Sequence, residues 1–400
     1  MTTEPGAFDG INVLDFTQGV AGPHATMLLA QHGANVIKVE PPEGDWGRGL
    51  GATYGDHCAH SIAFNRGKRS IALDMKQPDA QAAARRMAEK ADIIVEAFRP
   101  GVMAKFGLSY DQVTEFNPNV IYLSVTGFGQ SGPNSTQPVT DAVIQAYSGL
   151  MTVNRDKDGL PQRLNMIPID VTTGLYGFQA LSTALMRKFR YGTGCYVDNN
   201  LMQCAAAFQS AKIMEFYLEN GSSQALYVPV GTMQTTDGFI NISAMREAHY
   251  RSMCDVMGKP ELKDDPRFDS REKRLENEHI LMPIIREVFT RKSTAEWAEA
   301  LTAEGVMNAT VHNYGEMMEH AHTKAVEALA YPDHPMTGTI PLPHIPGQPR
   351  IAGADRLTEA PGLGAHSEEI LGEWGYSADE IAGMKANGAI RYPGLSEAAE

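Results

Sequence analysis

Apolar positions along the chain follow two spacings. Unbroken apolar runs within 10–16, 35–40, 93–95 and 120–126 are too short for helices and read as buried strands. Between them, apolar residues at intervals of three and four predict helices over 24–32, 79–91, 141–151 and 201–217. The first strand, a turn holding Gly19 and Gly22, a helix with Pro23 in its opening turn and a second strand make a βαβ unit. That order predicts a Rossmann-like parallel sheet. A short helix over 102–106 carries Lys105 near its end, and a further strand at 196–199 precedes the helix 201–217.

The stretch 161–200 organises the rest. Leu175, Phe178, Leu181, Leu185 and Met186 form one helical stripe, Arg187, Lys188 and Arg190 occupy the last turns, and Gly192 and Gly194 follow. At the start of this helix stands Asp170. It reads either as an N-cap, accepting from the amide of Thr172 or Thr173, or as a nucleophile or proton carrier in an apolar, glycine-bearing pocket. Tyr147 and Met151 read as core. Past Gly221 the pattern changes: a hairpin at 235–242 turns on Asp237-Gly238, 244–321 is helical and charged, and 341–349 is a proline-rich connector. One more helix ends at Gly375, and another covers 377–386.

Composition narrows the classes. Four hundred residues imply more than one domain, or one large domain with an insert. A net charge of -14 speaks against a nucleic-acid partner. No apolar run reaches the ~18 residues of a membrane span, and the first residues lack a signal peptide's order. Four cysteines without a CxxC pair form neither a zinc site nor a disulfide framework, so a cytoplasmic enzyme with reduced thiols and no metal is expected.

The candidate chemistry is sparse. The first turn reads GVAGP where a dinucleotide fold needs GxGxxG, which speaks against NAD or FAD although Glu40 ends the second strand as a ribose-binding acid would. Arg66, Lys68 and Arg69 read as a solvated turn or as a contact to phosphates. Arg48 is a candidate partner for an acceptor carboxylate, which would imply a dicarboxylic or hydroxy acid. His24, on the first helix, reads as structural or solvated.

Seven segments carry a resemblance, in order from residue 10 to 371: GINVLDF…AGP…GANVIKVE, FNRGKRSIALDM, EAFRPGVMAKFGL, LSVTGFGQSGP, IDVTTGLYG…ALMRKFRYGTG, TTDGFINI and APGLGAHSEEIL. Together they resemble the class III CoA-transferase family, of the formyl-CoA transferase and carnitine-CoA transferase type. The resemblance implies an α/β fold: a large Rossmann-like domain from 1–220 plus 331–400, a small inserted α+β domain from 221–330, and an interlocked homodimer. It implies that Asp170 is catalytic and that CoA touches Gln18, Gly19 and Val20 after the first strand, Ala97, Phe98 and Arg99 after the strand at 93–95, and Lys105. Ala97 stands where members often carry asparagine. Gln18, with Arg48 and Thr140, is also a candidate contact to substrate.

The implied substrates are an acyl-CoA and a small carboxylic acid, with no permanently bound cofactor and CoA entering only as the thioester. The implied route passes through an aspartyl anhydride and an aspartyl-CoA thioester, its oxyanions met by amides of the glycine loops and the helix start. Two rivals stand beside it. An α-methylacyl-CoA racemase would need a histidine where this chain has Thr140, a poor proton acceptor at neutral pH. A non-catalytic CoA-binding subunit would use Asp170 only as a cap.

Overall fold

The computed structural model describes residues 6–156, 158–221, 225–348, 351 and 357–390. The first five residues, Pro349 and the last ten positions, which some of the readings above include, lie outside them. The chain separates into two compact units, Met1–Ile213 with Ala328–Glu400, and Met214–Glu327.

The larger unit is built on six strands: β1 (Asn12–Phe16), β2 (Asn35–Glu40), β3 (Arg69–Ala72), β4 (Ile93–Glu96), β5 (Ile121–Thr126) and β6 (Cys195–Asn200). All neighbours pair in parallel, in the order β3-β2-β1-β4-β5-β6. Leu14, Ile37, Ile71, Ile94 and Tyr122 face one core, and Val13, Val36, Ile93, Leu123 and Val125 face the other. Both faces are dry, which explains why these strands read as continuous apolar runs.

Helices α1 (Ala21–Gln31), α4 (Asp141–Tyr147), α5 (Pro168–Tyr191) and α6 (Leu201–Phe208) pack on the second core, while α2 (Pro78–Ala88) and α3 (Val102–Lys105) pack on the first. Two C-terminal helices, α7 (Ser367–Glu373) and α8 (Ala378–Ala386), return to that first core through Ile370, Leu371, Trp374, Ile381 and Met384. Arg69 ties α7 to the sheet with 2.7 Å and 2.8 Å ion pairs to Glu369 and Glu373.

Several helix readings change. The stretch 141–151 is not one helix: α4 stops at Tyr147, and Leu150–Val153 is a separate turn. Tyr147 is exposed rather than core, with its ring against Phe128, and Met151 is only partly buried. The helix expected over 201–217 breaks at Gln209 into α6 and Ser210–Leu218. On α5 the buried residues are Ile169, Thr173, Gly174, Gly177, Leu181, Ala184 and Leu185, while Leu175 and Met186 face solvent. The helix closes on Gly192 in the left-handed region, φ 72°, with Lys188 and Arg190 in its last turn.

The smaller unit holds a three-stranded antiparallel sheet of β7 (Val230–Gln234), β8 (Phe239–Ser243) and β9 (Met307–Thr310). The Asp237-Gly238 turn joins the first two, and Asp237 also accepts the amide and hydroxyl of Thr294 at the head of helix Thr294–Ala303. Its core stacks Phe289 on Trp297 and buries Tyr250, Met253 and Phe268. Among the described residues no helix is long and apolar enough to cross a membrane.

Candidate functional site

In a parallel sheet of this order, connections run opposite ways from β1 and β4, and ligands bind outside the strands' carboxyl ends at that crevice. A helix leading into a parallel strand runs against it, so α5, which precedes β6, begins at that same carboxyl edge. Asp170 is the third residue of α5, after Pro168 and Ile169.

Asp170 does not cap its helix. The N-cap position is Ile167, and no cap-residue side chain closes the first turn. Asp141 does so instead, from the start of α4: its Oδ2 accepts from the Ile169 amide at 2.7 Å and the Asp170 amide at 2.9 Å. Gln145 donates to the other carboxylate oxygen at 2.5 Å and anchors itself by accepting from the Leu164 amide at 2.8 Å. The Ile169 and Asp170 amides at the helix start are therefore engaged. Burial, joined by the negative charge of Asp141, pushes the Asp170 carboxyl up to about 7.

α1 lies directly against this first turn because α5 is small there. A Cβ on Gly174 would fall 2.5 Å from His24 Nδ1, and one on Gly177 would fall 3.1 Å from the Ala25 side chain. His24 Nδ1 donates to the Val171 carbonyl at 3.1 Å. Burial, with the charges of Lys68 and Arg66, holds the imidazole down at about 4, so it is neutral near pH 7.

Below the loop after β1 lies a buried ionic network. Asp15 accepts from the Thr17 amide and hydroxyl, from Thr26 at 2.6 Å and from Lys68 at 2.8 Å. Burial opposes its charge, but the two lysines and these donors win and take it down to about 2. Lys38 donates to the Thr17 carbonyl at 2.9 Å and pairs with Asp45 at 2.8 Å. Asp45 in turn accepts from the Gly19 amide at 2.8 Å. A carboxylate thus occupies the amide that a dinucleotide phosphate would use, and Glu40 is taken by Arg48 and Ser70, in line with the missing GxGxxG.

The structure redistributes the basic residues. Arg66, Lys68 and Arg69 do not form a solvated turn; all three are buried, Lys68 on Asp15 and Arg69 on α7. Arg48 forks onto Glu40 through two 2.7 Å bonds and reaches the Pro361 carbonyl at 3.0 Å. Its guanidinium is already matched, so it is not positioned to receive an acceptor carboxylate.

Of the expected CoA contacts, Gln18 and Phe98 line one cavity of about 340 Å³ at the β1–β4 crevice, together with Phe16, Pro41 and Phe106. Arg99 lines a separate cavity of about 320 Å³ beside Glu96, Tyr110 and Tyr196. Gly19 and Val20 are buried in the turn between, Ala97 packs on the core, and Lys105 is exposed at the end of α3. Thr140 is exposed immediately before Asp141. No cluster of histidine, cysteine, aspartate or glutamate among the described residues would hold a metal ion.

The family model for CoA-transferase family III matches residues 8–367. The chain belongs to that family. As a family III CoA-transferase it is 31% identical to human succinyl-CoA:glutarate CoA-transferase, over 91% of this chain and 85% of the relative. It is 32% identical to acetyl-CoA:oxalate CoA-transferase of Acetobacter aceti, over 89% and 92%. A crystal structure of a CAIB/BAIF family protein from Brucella suis superposes with a TM-score of 0.82 at 28% identity, covering 93% of this chain and all (100%) of that one. The mixed α/β fold with a parallel central sheet is the one such structures share.

Sequence reasoning missed Asp141 as a site residue. Its only signal was an acid heading a predicted helix, and nothing local ties it to a helix start 28 positions on.

Proposed function

We propose that this chain transfers CoA from an acyl-CoA thioester to a free carboxylic acid through covalent intermediates on Asp170. The observation that carries the reading is Asp170 itself: a carboxyl at the carboxyl edge of the sheet, pushed up to about 7 by burial and by Asp141. A carboxylate that binds protons more tightly is the stronger nucleophile once ionised.

In the proposed cycle, an oxygen of Asp170 attacks the thioester carbonyl, the C–S bond breaks, and CoA leaves as thiolate. The product is an aspartyl acyl anhydride. The thiolate attacks the aspartyl carbonyl and expels the donor acid as carboxylate, leaving an aspartyl-CoA thioester. The acceptor carboxylate attacks that thioester and frees the thiolate again. The thiolate then takes the acceptor acyl group, regenerating Asp170. Gln18 and Phe98 would meet CoA in the β1–β4 crevice, with Gly19, Val20, Ala97 and Arg99 in the loops around it and Lys105 at the end of α3. The curated relatives act on glutarate and oxalate, which supports a dicarboxylic acid here.

A homodimer is proposed with it. Phe189 and Tyr191 on α5 and Phe208 on α6, all in the larger unit, are exposed. An apolar surface of that kind suits a second copy. The racemase reading finds exposed Thr140 in place of its base.

The test is intact-mass spectrometry after incubation with succinyl-CoA, then hydroxylamine or borohydride, on wild type and Asp170→Asn. A covalent change at Asp170 that the variant lacks supports the cycle. α-Proton exchange into heavy water without any adduct would restore the isomerase.

A further inference from the structure

Among the described residues around the first turn of α1, the cations have anions with one exception. Lys68 holds Asp15, Lys38 holds Asp45 and Arg48 holds Glu40. Arg66 is 3% exposed, and its Nε and Nη1 are buried without a hydrogen-bond partner among the described residues. A guanidinium out of water and without an anion is strongly unfavourable, and burial pushes its pKa down. Such a group persists where a ligand or partner completes it.

The surroundings indicate where that anion enters. Arg66 follows the helix Ala59–Asn65, whose Phe64 ring meets the His24 ring edge-on at 5.3 Å. The charge of Arg66 bears on His24, and His24 bonds the carbonyl of Val171, the residue after Asp170. Arg66 and the Asp170 turn are therefore both neighbours of one neutral imidazole. Asp15, the buried carboxylate of the neighbouring network, already accepts from Thr17, Thr26 and Lys68.

We propose that Arg66 binds the remote carboxylate of a dicarboxylic acid whose other carboxyl reacts at Asp170. The proposal rests on the reading of Asp170 above and assigns acid selectivity to one side chain. The planar fork of arginine fits a carboxylate through two parallel bonds, which a monocarboxylic acid of equal length cannot complete. The role that the sequence suggested for Arg48 passes to Arg66, because Glu40 has closed the one and no hydrogen-bond partner among the described residues closes Nε and Nη1 of the other.

The experiment loads full-length wild type, Arg66→Gln and Arg66→Lys with CoA from acetyl-CoA and follows discharge of the Asp170 adduct by glutarate or by butyrate. The glutarate-to-butyrate rate ratio should fall about 10²-fold or more in Arg66→Gln and less in Arg66→Lys. Equal slowing with both acids overturns the proposal. So does a loss of thermal stability or of the oligomer in Arg66→Gln, which would place the missing anion in the fold or on a second copy. Removing an uncompensated buried charge should instead leave the melting temperature equal or higher. If wild type forms no adduct at all, the reading of Asp170 fails first, a signature distinct from an adduct that discharges without preference.

Discussion

Two aspartates of the larger unit differ in sequence context only modestly and in chemistry completely. Asp15, at the end of β1, has no exposed surface; Asp170, at the start of α5, is partly exposed. Burial alone would lift both. It prevails at Asp170, which meets another carboxylate and rises to about 7, and it loses at Asp15, which meets two lysines and two hydroxyls and falls to about 2. Partners, more than depth, decide whether a carboxyl braces a fold or is held ready to react.

The sharpest way to break this contrast is to neutralise each in turn. Asp170→Asn should cost about 10⁴-fold or more in transfer rate if Asp170 is the nucleophile. The same change should stabilise the protein above pH 7 by about 1–3 kcal/mol in urea unfolding, since it removes a carboxylate whose ionisation the fold disfavours. Asp15→Asn should do the reverse: a loss of about 3–5 kcal/mol in unfolding free energy, because Lys68 and Lys38 lose a buried anion. Activity per folded molecule should change far less.

Asp141→Asn keeps an acceptor for the Ile169 and Asp170 amides but removes the like charge. The acid limb of kcat/KM should move to lower pH, with a loss of about tenfold or less. A role confined to holding the helix would leave the limb in place. The smallest effects are those of pH on wild type. If ionised Asp170 is the nucleophile, as proposed, kcat/KM should rise as pH passes about 7. The depressed Asp15 contributes stability in full above its ordinary 3.8, and that contribution should fade as pH drops toward about 2.

Much of the sheet was legible because strands buried on both faces leave continuous apolar runs. The contact face of α5 was not. It is made of Thr173, Gly174, Gly177 and Ala184, which an apolar-spacing count passes over in favour of exposed Leu175 and Met186. The basic turn 66–69 misled for another reason: the anion of Lys68 lies 53 positions away and those of Arg69 lie 300 and 304 away. The position of Asp170 was readable from its motif, but its environment was not, since the residue that closes its helix belongs to another element.

The turn after β1 carries a consequence for anyone varying this protein. Gly19, at φ 79°, sits so close to Trp46 that a Cβ would fall 2.2 Å from the indole, and its amide is held by Asp45. The loops 17–20 and 45–48 are thus two halves of one lock, and neither can be recut alone. Changing Trp46 would relieve the contact but not the left-handed backbone, so a library randomised at Gly19 and Trp46 together, read out by deep sequencing, should return folded clones that keep Gly19 whatever replaces Trp46.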